Sequence, residues 1–564
     1  MGAALRRTAY SAAIREAEDC GVGLFDCRGR LLAQGVFTPG QVGSMPFALQ
    51  NVLARYPVPM LAPGDGLVLN DPYLGNGHLP DFFCFFPIYV DGQLVGFSGS
   101  CAHHADVGGA APGSQVTAGI FDMYQEGVRV PPVRLFRDGA PVDELLRVIT
   151  ANVRRPTDMV GDLKAQASAC AVGARRIQEL YAEYGDELVE DCVEQLLDRT
   201  EQAMRDAVSE IPDGRYEFED RLDDYGPDTD PVVIKATVEV EGSRVKIDFA
   251  GTSLQVRAAL NCPFNFTYAY SLFALKTLTD PTIPENEGGR RVLEVSAPRG
   301  CFLNPTVPAP TGARATVAIR IVDAIMGAMS QALPGRAVAA PSHFVNTTFG
   351  GFAGSDGAEA ETGEGFVYYE LLLGSFGARP EKDGVDGLVS CFNTGNIPIE
   401  VHEATAPVLI HSFGFTPDSA GPGKYRGGVG VQKEIELLSG PIRLTNLSDR
   451  YRFRPWGLFG GGAGAPGDAV LTREGQRTQL HSKVTCELQM GDVIAYHVSG
   501  AGGWGDPFER RPEAVLEDVL NGLVSAEAAR EAYRVAIDAA TGTVDRELTE
   551  ALRRGAAQAP PTSN

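Results

Sequence analysis

Tryptophan and histidine are scarce in this chain of 564 residues, with 2 and 8 copies, and basic residues are outnumbered. Against 72 Asp and Glu stand 49 Lys and Arg, a formal charge of −23. Such a balance repels phosphate backbones and anionic bilayers, which excludes nucleic acid and membrane surfaces as partners. No apolar run approaches the roughly 18 residues that span a bilayer. The opening MGAALRRTAYSAAIREAED has no apolar h-region, so no secretory signal is expected. Arg6 also stands where a myristoylation signal needs Ser or Thr. The ten cysteines include no C-x-x-C pair; reduced, mostly buried thiols in a cytoplasmic protein are expected.

Chemical motifs are missing too. There is no G-x-x-x-x-G-K-[ST] phosphate loop, since Lys424 in GPGKYRGG lacks the following Ser or Thr, and no G-x-S-x-G elbow. GAGGWG, Gly500 to Gly505, matches G-x-G-x-x-G only formally, because no β-α-β unit follows and Asp506-Pro507 closes it. DFAGTS, 248–253, is one residue too long for the phosphate loop of actin-like ATPases. The chain therefore offers no nucleotide site or serine nucleophile of its own. Its glycine clusters, DSAGPGKYRGGVG and PWGLFGGGAGAPG, read either as tight turns or as backbone walls of an anion site with Arg426.

What is present has the patterning of an α+β protein: a multi-domain, mixed α/β subunit with a Gly-rich, β-dominated C-terminal half. About two to four domains are expected at this length. The divisions fall at 1–211 (N-terminal α/β), 212–339 (central α/β), 340–508 (Gly-rich, β-rich) and 509–564 (C-terminal helical tail). GVGLFDCRGRLLAQG reads as two short strands, and SMPFALQNVLARY as a helix capped by Ser44. DFFCFFPIYVDGQLVGFSGSCAH is a β-hairpin around Asp91-Gly92. Two long helices should follow, DLKAQASACAVGARRIQELYAEYG and DELVEDCVEQLLDRTEQAMRDAVSEI. Then come the hairpin VVIKATVEVEGSRVKIDF and helices at NFTYAYSLFALKTL and ATVAIRIVDAIMGAMSQAL. The terminal AAQAPPTSN is too polar to order itself.

Three of the eight histidines lie in one stretch, NDPYLGNGHLPDFFCFFPIYVDGQLVGFSGSCAHHAD. His78 and Asp81 precede the first hairpin strand, and His103 and His104 follow the second. A hairpin returns its ends to one edge, so residues 25 apart can meet. Two imidazoles and a carboxylate suit Mn²⁺, Zn²⁺ or Fe²⁺ and leave positions open for water or substrate. Adjacent residues on a strand face opposite ways, so His103 is the ligand candidate, with His104 and Asp106 as proton-handling residues. H-x-x-D is too short to be diagnostic, and spacing alone leaves a metal site and a coincidence of loop residues both open.

Motifs along nearly the whole chain carry a resemblance. LFDCRGRLLAQG, GSMPFALQNVL, GDGLVLNDPYLGNGHLPD, HHADVGG, DLKAQ, DPTIPENEGGRR, DSAGPGKYRGGVG, PWGLFGGGAG and GDPFERRPEAVLEDVLNGLVSAEAAREAY together resemble the hydantoinase B / 5-oxoprolinase family. That family also includes the α subunit of acetone carboxylase. In its carboxylase members a His, an Asp three residues on and a later His hold the metal, which implies His78, Asp81 and His103 here. Also implied are a further helical segment before residue 1 and a hydantoinase A-type ATPase subunit, carrying ATP and Mg, as partner in a hetero-oligomer. That partner would phosphorylate the carbonyl oxygen of a small-molecule hydantoin, oxoproline or other lactam, and this subunit would hydrolyse the C–N bond with a metal-activated water. A ketone carboxylase, a free-standing zinc hydrolase and a non-catalytic scaffold subunit are the alternatives. The chain departs from the family at Ala420, where DSAG replaces DSGG, and at SGAGGWG, where the family has four glycines.

Overall fold

A computed structural model describes residues 1–351, 365–388, 391–538 and 541–556. It is a mixed α/β protein of several sheets, most of them antiparallel. The first sheet is built from β1 (Cys20–Asp26), β2 (Leu31–Gln34), β3 (Gly66–Leu69), β4 (Asp81–Val90), β5 (Gln93–His103), β6 (Val133–Arg137) and β7 (Ala140–Pro141), in the order β2-β1-β5-β4-β3-β6-β7. Helix α1 (Pro39–Arg55) covers one face, packing Leu49 and Val52 against Phe25, Phe83 and Phe85. Helix α2 (Pro156–Tyr184) covers the other, with Met159 and Leu163 against Phe82 and Cys84. Burial on both faces explains why β4, after Asp81, is a continuous apolar run instead of alternating. The Asp91-Gly92 turn has φ of 47° and 80°, the left-handed pair that a two-residue hairpin loop needs.

Helix α1 starts earlier than its sequence implies. Pro39, not Ser44, opens it, since a proline at the first position lacks only an N–H the helix could not use. Ser44 lies inside and turns its hydroxyl back to the Gly40 carbonyl, the alternative use of a serine hydroxyl within a helix.

Helix α3 (Asp186–Ser209) leads into a second sheet of β8 (Gly214–Leu222), β9 (Val232–Glu241), β10 (Arg244–Asp248) and β11 (Leu293–Ser296). Against it lie α4 (Phe264–Leu278) and α5 (Ala315–Met329). Every residue of α5 is buried, as its apolar sequence on all sides requires. Its core takes in Ala13 and Met204 from the first sequence division and Tyr369 and Leu447 from the third. One contiguous apolar body therefore crosses positions 212 and 340.

The C-terminal half is a sandwich. One sheet has the order β13-β12-β16-β19, from β12 (Val345–Gly351), β13 (Phe366–Leu372), β16 (Ile442–Leu447) and β19 (Lys483–Leu488). The other has the order β14-β15-β20-β17-β18, from β14 (Val408–Thr416), β15 (Gly430–Leu437), β17 (Asp468–Arg473), β18 (Gln476–Gln479) and β20 (Val493–His497). Phe349, Tyr368, Ile435, Leu444 and Tyr496 fill the space between them. The glycine clusters are turns that close on one another. Gly421 N–H donates to Ala501 O, Gly462 N–H to Pro422 O, and Gly503 N–H to Gly462 O, a backbone approach that side chains would block. Arg426 is not left for an anion, because Asp386 and Asp518 pair with it. Short helices Pro512–Leu520, Ala526–Ala532 and Arg546–Ala556 form the tail, while 557–564, most of the polar end segment, lie outside the described residues. Among the described residues no helix is long and apolar enough to cross a membrane.

Candidate metal centre

The open end of the β4–β5 hairpin places the group. Asp81 is the first residue of β4 and His103 the last of β5, directly paired across the ladder. The strands thus run one residue further than their sequence implies and take both residues in. His78 arrives on the preceding loop, which Asn76 ties down by donating to the carbonyls of Asn70, His78 and Asp81. Gly77 lets the loop pass over the Arg314 guanidinium, since a Cβ there would meet Arg314 Nε at 2.3 Å.

His78 Nε2, His103 Nδ1 and Asp81 Oδ1 form a triangle with all three edges at 3.2 Å. Each of the three residues is only 1 % exposed. Donor atoms about 3.0–3.4 Å apart are what one face of an octahedral or tetrahedral ion presents when its bonds are about 2.1 Å. Proton bookkeeping points the same way. His78 Nδ1 lies 2.7 Å from Gly312 O, and a carbonyl can only accept, so Nδ1 carries the hydrogen and Nε2 is a bare lone pair. The His78–Asp81 edge then sets lone pair against carboxylate with no hydrogen to place between them, and a cation resolves it. His103 fits as well. The Gln115 amide nitrogen stands 3.1 Å from its Nε2; turning that amide over, which changes nothing in its shape, presents the oxygen there instead, takes the Nε2–H and bares Nδ1. The donor set fits a divalent transition ion.

The electrostatics hold the group in ligand form. Burial, reinforced by Arg314, lowers the His78 pKa to about 4, which keeps the ring neutral near pH 7. Burial opposes charge on Asp81, yet His78 and Arg314 hold its carboxyl well below the usual range. Arg314 grips the outer oxygen, Asp81 Oδ2, and its guanidinium stacks 4.3 Å over Phe266. Gln41 bridges inward, donating to Asp81 Oδ1 at 3.2 Å and to Asp19 Oδ1 at 2.9 Å.

Asp19 carries no motif, yet its Oδ2 lies 3.9 Å from His103 Nδ1. Burial, with Asp81 close by, pushes its pKa up. Tyr369 donates to the same oxygen at 3.2 Å and stacks on the His103 ring at 4.8 Å. Neither Asp19 nor Arg314, Gln115 and Tyr369 is foretold by spacing: 62 residues separate Asp19 from Asp81, and 233 separate Asp81 from Arg314.

His104 and Asp106 are not brought to the triangle. His104 turns to the opposite face of the sheet, as alternation requires. There it packs on Phe82 and shares a hydrogen bond with Gln166 at 3.1 Å. Asp106 accepts from Gly108 N, Gly113 N and Arg154 Nη1 at 2.9, 3.1 and 3.0 Å. It thereby anchors the loop that carries Gln115 to His103.

Residues 1–507 match the family described as Hydantoinase B/oxoprolinase. The putative D-/L-hydantoinase B subunit of Pseudomonas sp. (strain NS671) is 33% identical over 98% of this chain and 95% of its own. The beta subunit of the caprolactamase of Pseudomonas jessenii is 30% identical over 98% and 96%. The crystal structure of the ATP-dependent caprolactamase from that organism superposes with a TM-score of 0.87 at 28% identity, covering 98% of this chain and 96% of the other. A nucleotide-free acetone carboxylase structure superposes with a TM-score of 0.90 at 19% identity, covering 99% and 82%; it shares the fold. A mixed α/β chain of this architecture, with a buried His/Asp/His group able to hold a metal, has the build of the B or beta subunits of multi-subunit enzymes. It belongs to the hydantoinase B/oxoprolinase family.

Proposed function

We propose that this chain is the metal-bearing subunit of an ATP-dependent hydrolase of cyclic amides, a hydantoin, an oxoproline-like ring or another lactam. The observation that carries the reading is the buried triangle of His78 Nε2, His103 Nδ1 and Asp81 Oδ1, each edge 3.2 Å. These three residues would hold a divalent ion (Mn²⁺, Zn²⁺ or Fe²⁺), with the carboxyl of Asp19 beside them. When bound, such an ion supplies Lewis acidity, which polarises a carbonyl and acidifies water. Arg314 and Gln41 fix the Asp81 carboxylate, and Gly312 O and Gln115 fix the two imidazole rings, so the donors stay aimed without substrate. Asp19 is the carboxyl able to hold a proton at this spot, because burial favours its neutral form. It takes over the proton-handling role expected of His104 and Asp106.

ATP enters through a partner. An amide is resonance-stabilised and opening a five-membered lactam can be uphill. Phosphorylation of its oxygen by a hydantoinase A-type ATPase subunit would make the ring carbon electrophilic. Addition of water, cleavage of the C–N bond to leave an acyl phosphate, and hydrolysis of that acyl phosphate to carboxylate and phosphate would couple ring opening to ATP. The caprolactamase relative, itself ATP-dependent, supports this division of labour. The test is co-expression with the ATPase subunit and a screen of hydantoins, lactams and ketones for substrate-dependent ADP release. The expected result is lactam- or hydantoin-dependent turnover, indifferent to bicarbonate and lost in His78→Ala. Ketone turnover that consumes bicarbonate would make the enzyme a carboxylase, and full activity in His78→Ala would make the chain a scaffold.

A further inference from the structure

The central part of the chain reaches the metal group through one short segment, Thr311 to Arg314. Two of its groups touch two of the three donor residues. Gly312 O accepts from His78 Nδ1 at 2.7 Å, and the Arg314 guanidinium holds Asp81 Oδ2. The first contact selects the His78 tautomer that bares Nε2, and the second aims the Asp81 carboxylate. Whatever seats this segment therefore seats two ligands.

A side chain from the N-terminal part grips it. The Glu126 carboxyl accepts, on one oxygen, the Thr311 N–H at 2.9 Å and the Gly312 N–H beside it. The fit is close: a Cβ on Gly312 would stand 2.8 Å from Glu126 Oε1. Glu126 is 4% exposed, and burial, with Asp122 of the same sign nearby, pushes its pKa up to about 8. Burial without a counter-cation thus favours the protonated acid near pH 7, whose carbonyl oxygen still accepts both N–H groups. What sets this pair apart is their address, on the residue whose carbonyl holds His78 and on the one before it.

We propose that Glu126 is a positioning residue of the metal centre. By clamping the 311–312 peptides it holds Gly312 O on His78 Nδ1 and seats Arg314 on Asp81, and so tightens the hold of the triangle on a divalent ion. The proposal rests on the metal-binding reading above. It treats Glu126 as an outer partner that touches neither ion nor substrate, a kind of contact whose loss typically weakens metal binding about 10–100-fold.

The test is competition for Zn²⁺ between a chromophoric chelator and the purified full chain, as wild type, Glu126→Met, Glu126→Gln and Gly312→Ala. Circular dichroism alongside identifies which variants are folded. Glu126→Met keeps the volume and removes the acceptor; its Zn²⁺ affinity should fall about 10–100-fold. Gly312→Ala disturbs the same contact from the other side and should fall in the same direction, so the test does not hang on one variant folding. Glu126→Gln keeps an oxygen where both N–H groups point and should recover most of the loss, a rescue that a requirement for negative charge would not give. Folded Glu126→Met or Gly312→Ala protein that binds Zn²⁺ as tightly as the wild type overturns the inference and leaves the metal site standing. A wild type that takes up no Zn²⁺, Mn²⁺ or Fe²⁺ overturns both.

Discussion

Two of the buried polar groups among the described residues differ in how their charges close. One is the His78/Asp81/His103 triangle. The other lies where α5 meets the C-terminal sandwich. There Arg320 pairs with Asp323 at 3.0 Å and with Asp449, Arg450 with Asp323 at 2.7 Å and Asp220 at 3.2 Å, and Lys483 with Asp449 at 3.1 Å. Each of those carboxylates faces a cation, and the group closes on itself. In the triangle, Arg314 takes only the outer oxygen of Asp81, while the inner one faces two ring nitrogens of which at least His78 Nε2 bears no hydrogen. Burial is the same in kind at both places. The unfilled inner lone pairs distinguish a site for a cation from a clamp between elements.

Breaking the clamp should have the larger effect on the fold. Asp449→Ala removes the carboxylate that Arg320 and Lys483 share, leaving Arg320 with Asp323 and Lys483 with Asp224 alone, and removal of one partner from a buried pair costs about 3–5 kcal/mol. Urea denaturation of the metal-free chain should show a loss of that order, and added Zn²⁺ should not restore the lost contacts. A loss below about 1 kcal/mol, the level of a surface pair, would mean that this group is not a clamp and the contrast fails.

A smaller effect, linked to a single proton, sharpens the other side. The His78 pKa of about 4 lies below its unfolded value of 6.5, so between those values the unfolded chain binds the extra proton. The stability contributed by the neutral ring is complete above pH 6.5 and is lost as pH falls towards 4. Denaturation of the metal-free protein at several pH values across that window should show a shallower fall for His78→Asn than for the wild type. Equal slopes would mean that the ring is not held neutral.

Part of this was readable before the fold was known. The Asp91-Gly92 turn between two apolar runs dictates the hairpin, the hairpin brings residues 78, 81 and 103 to one end, and strand alternation separates His103 from His104. What could not be read are contacts made by residues whose local pattern says something else. Arg314 reads as an arginine before a helix, Tyr369 as a strand aromatic, and Asp19 and Glu126 as ordinary acids among the 72 acidic residues. Their roles arise only when α5 and the C-terminal sheets close over the hairpin. Ser44 shows a local limit as well, since a serine hydroxyl serves either as a helix cap or as a back-bond inside the helix.

The most direct measurement is anomalous X-ray diffraction from crystals of the purified chain, collected at the Mn, Fe and Zn absorption edges. The account predicts one strong peak at one of these edges, about 2.0–2.2 Å from His78 Nε2, His103 Nδ1 and Asp81 Oδ1, and absent from His103→Ala crystals. No peak there, with the two rings and the carboxylate linked instead by ordered water or by hydrogen bonds alone, would contradict it.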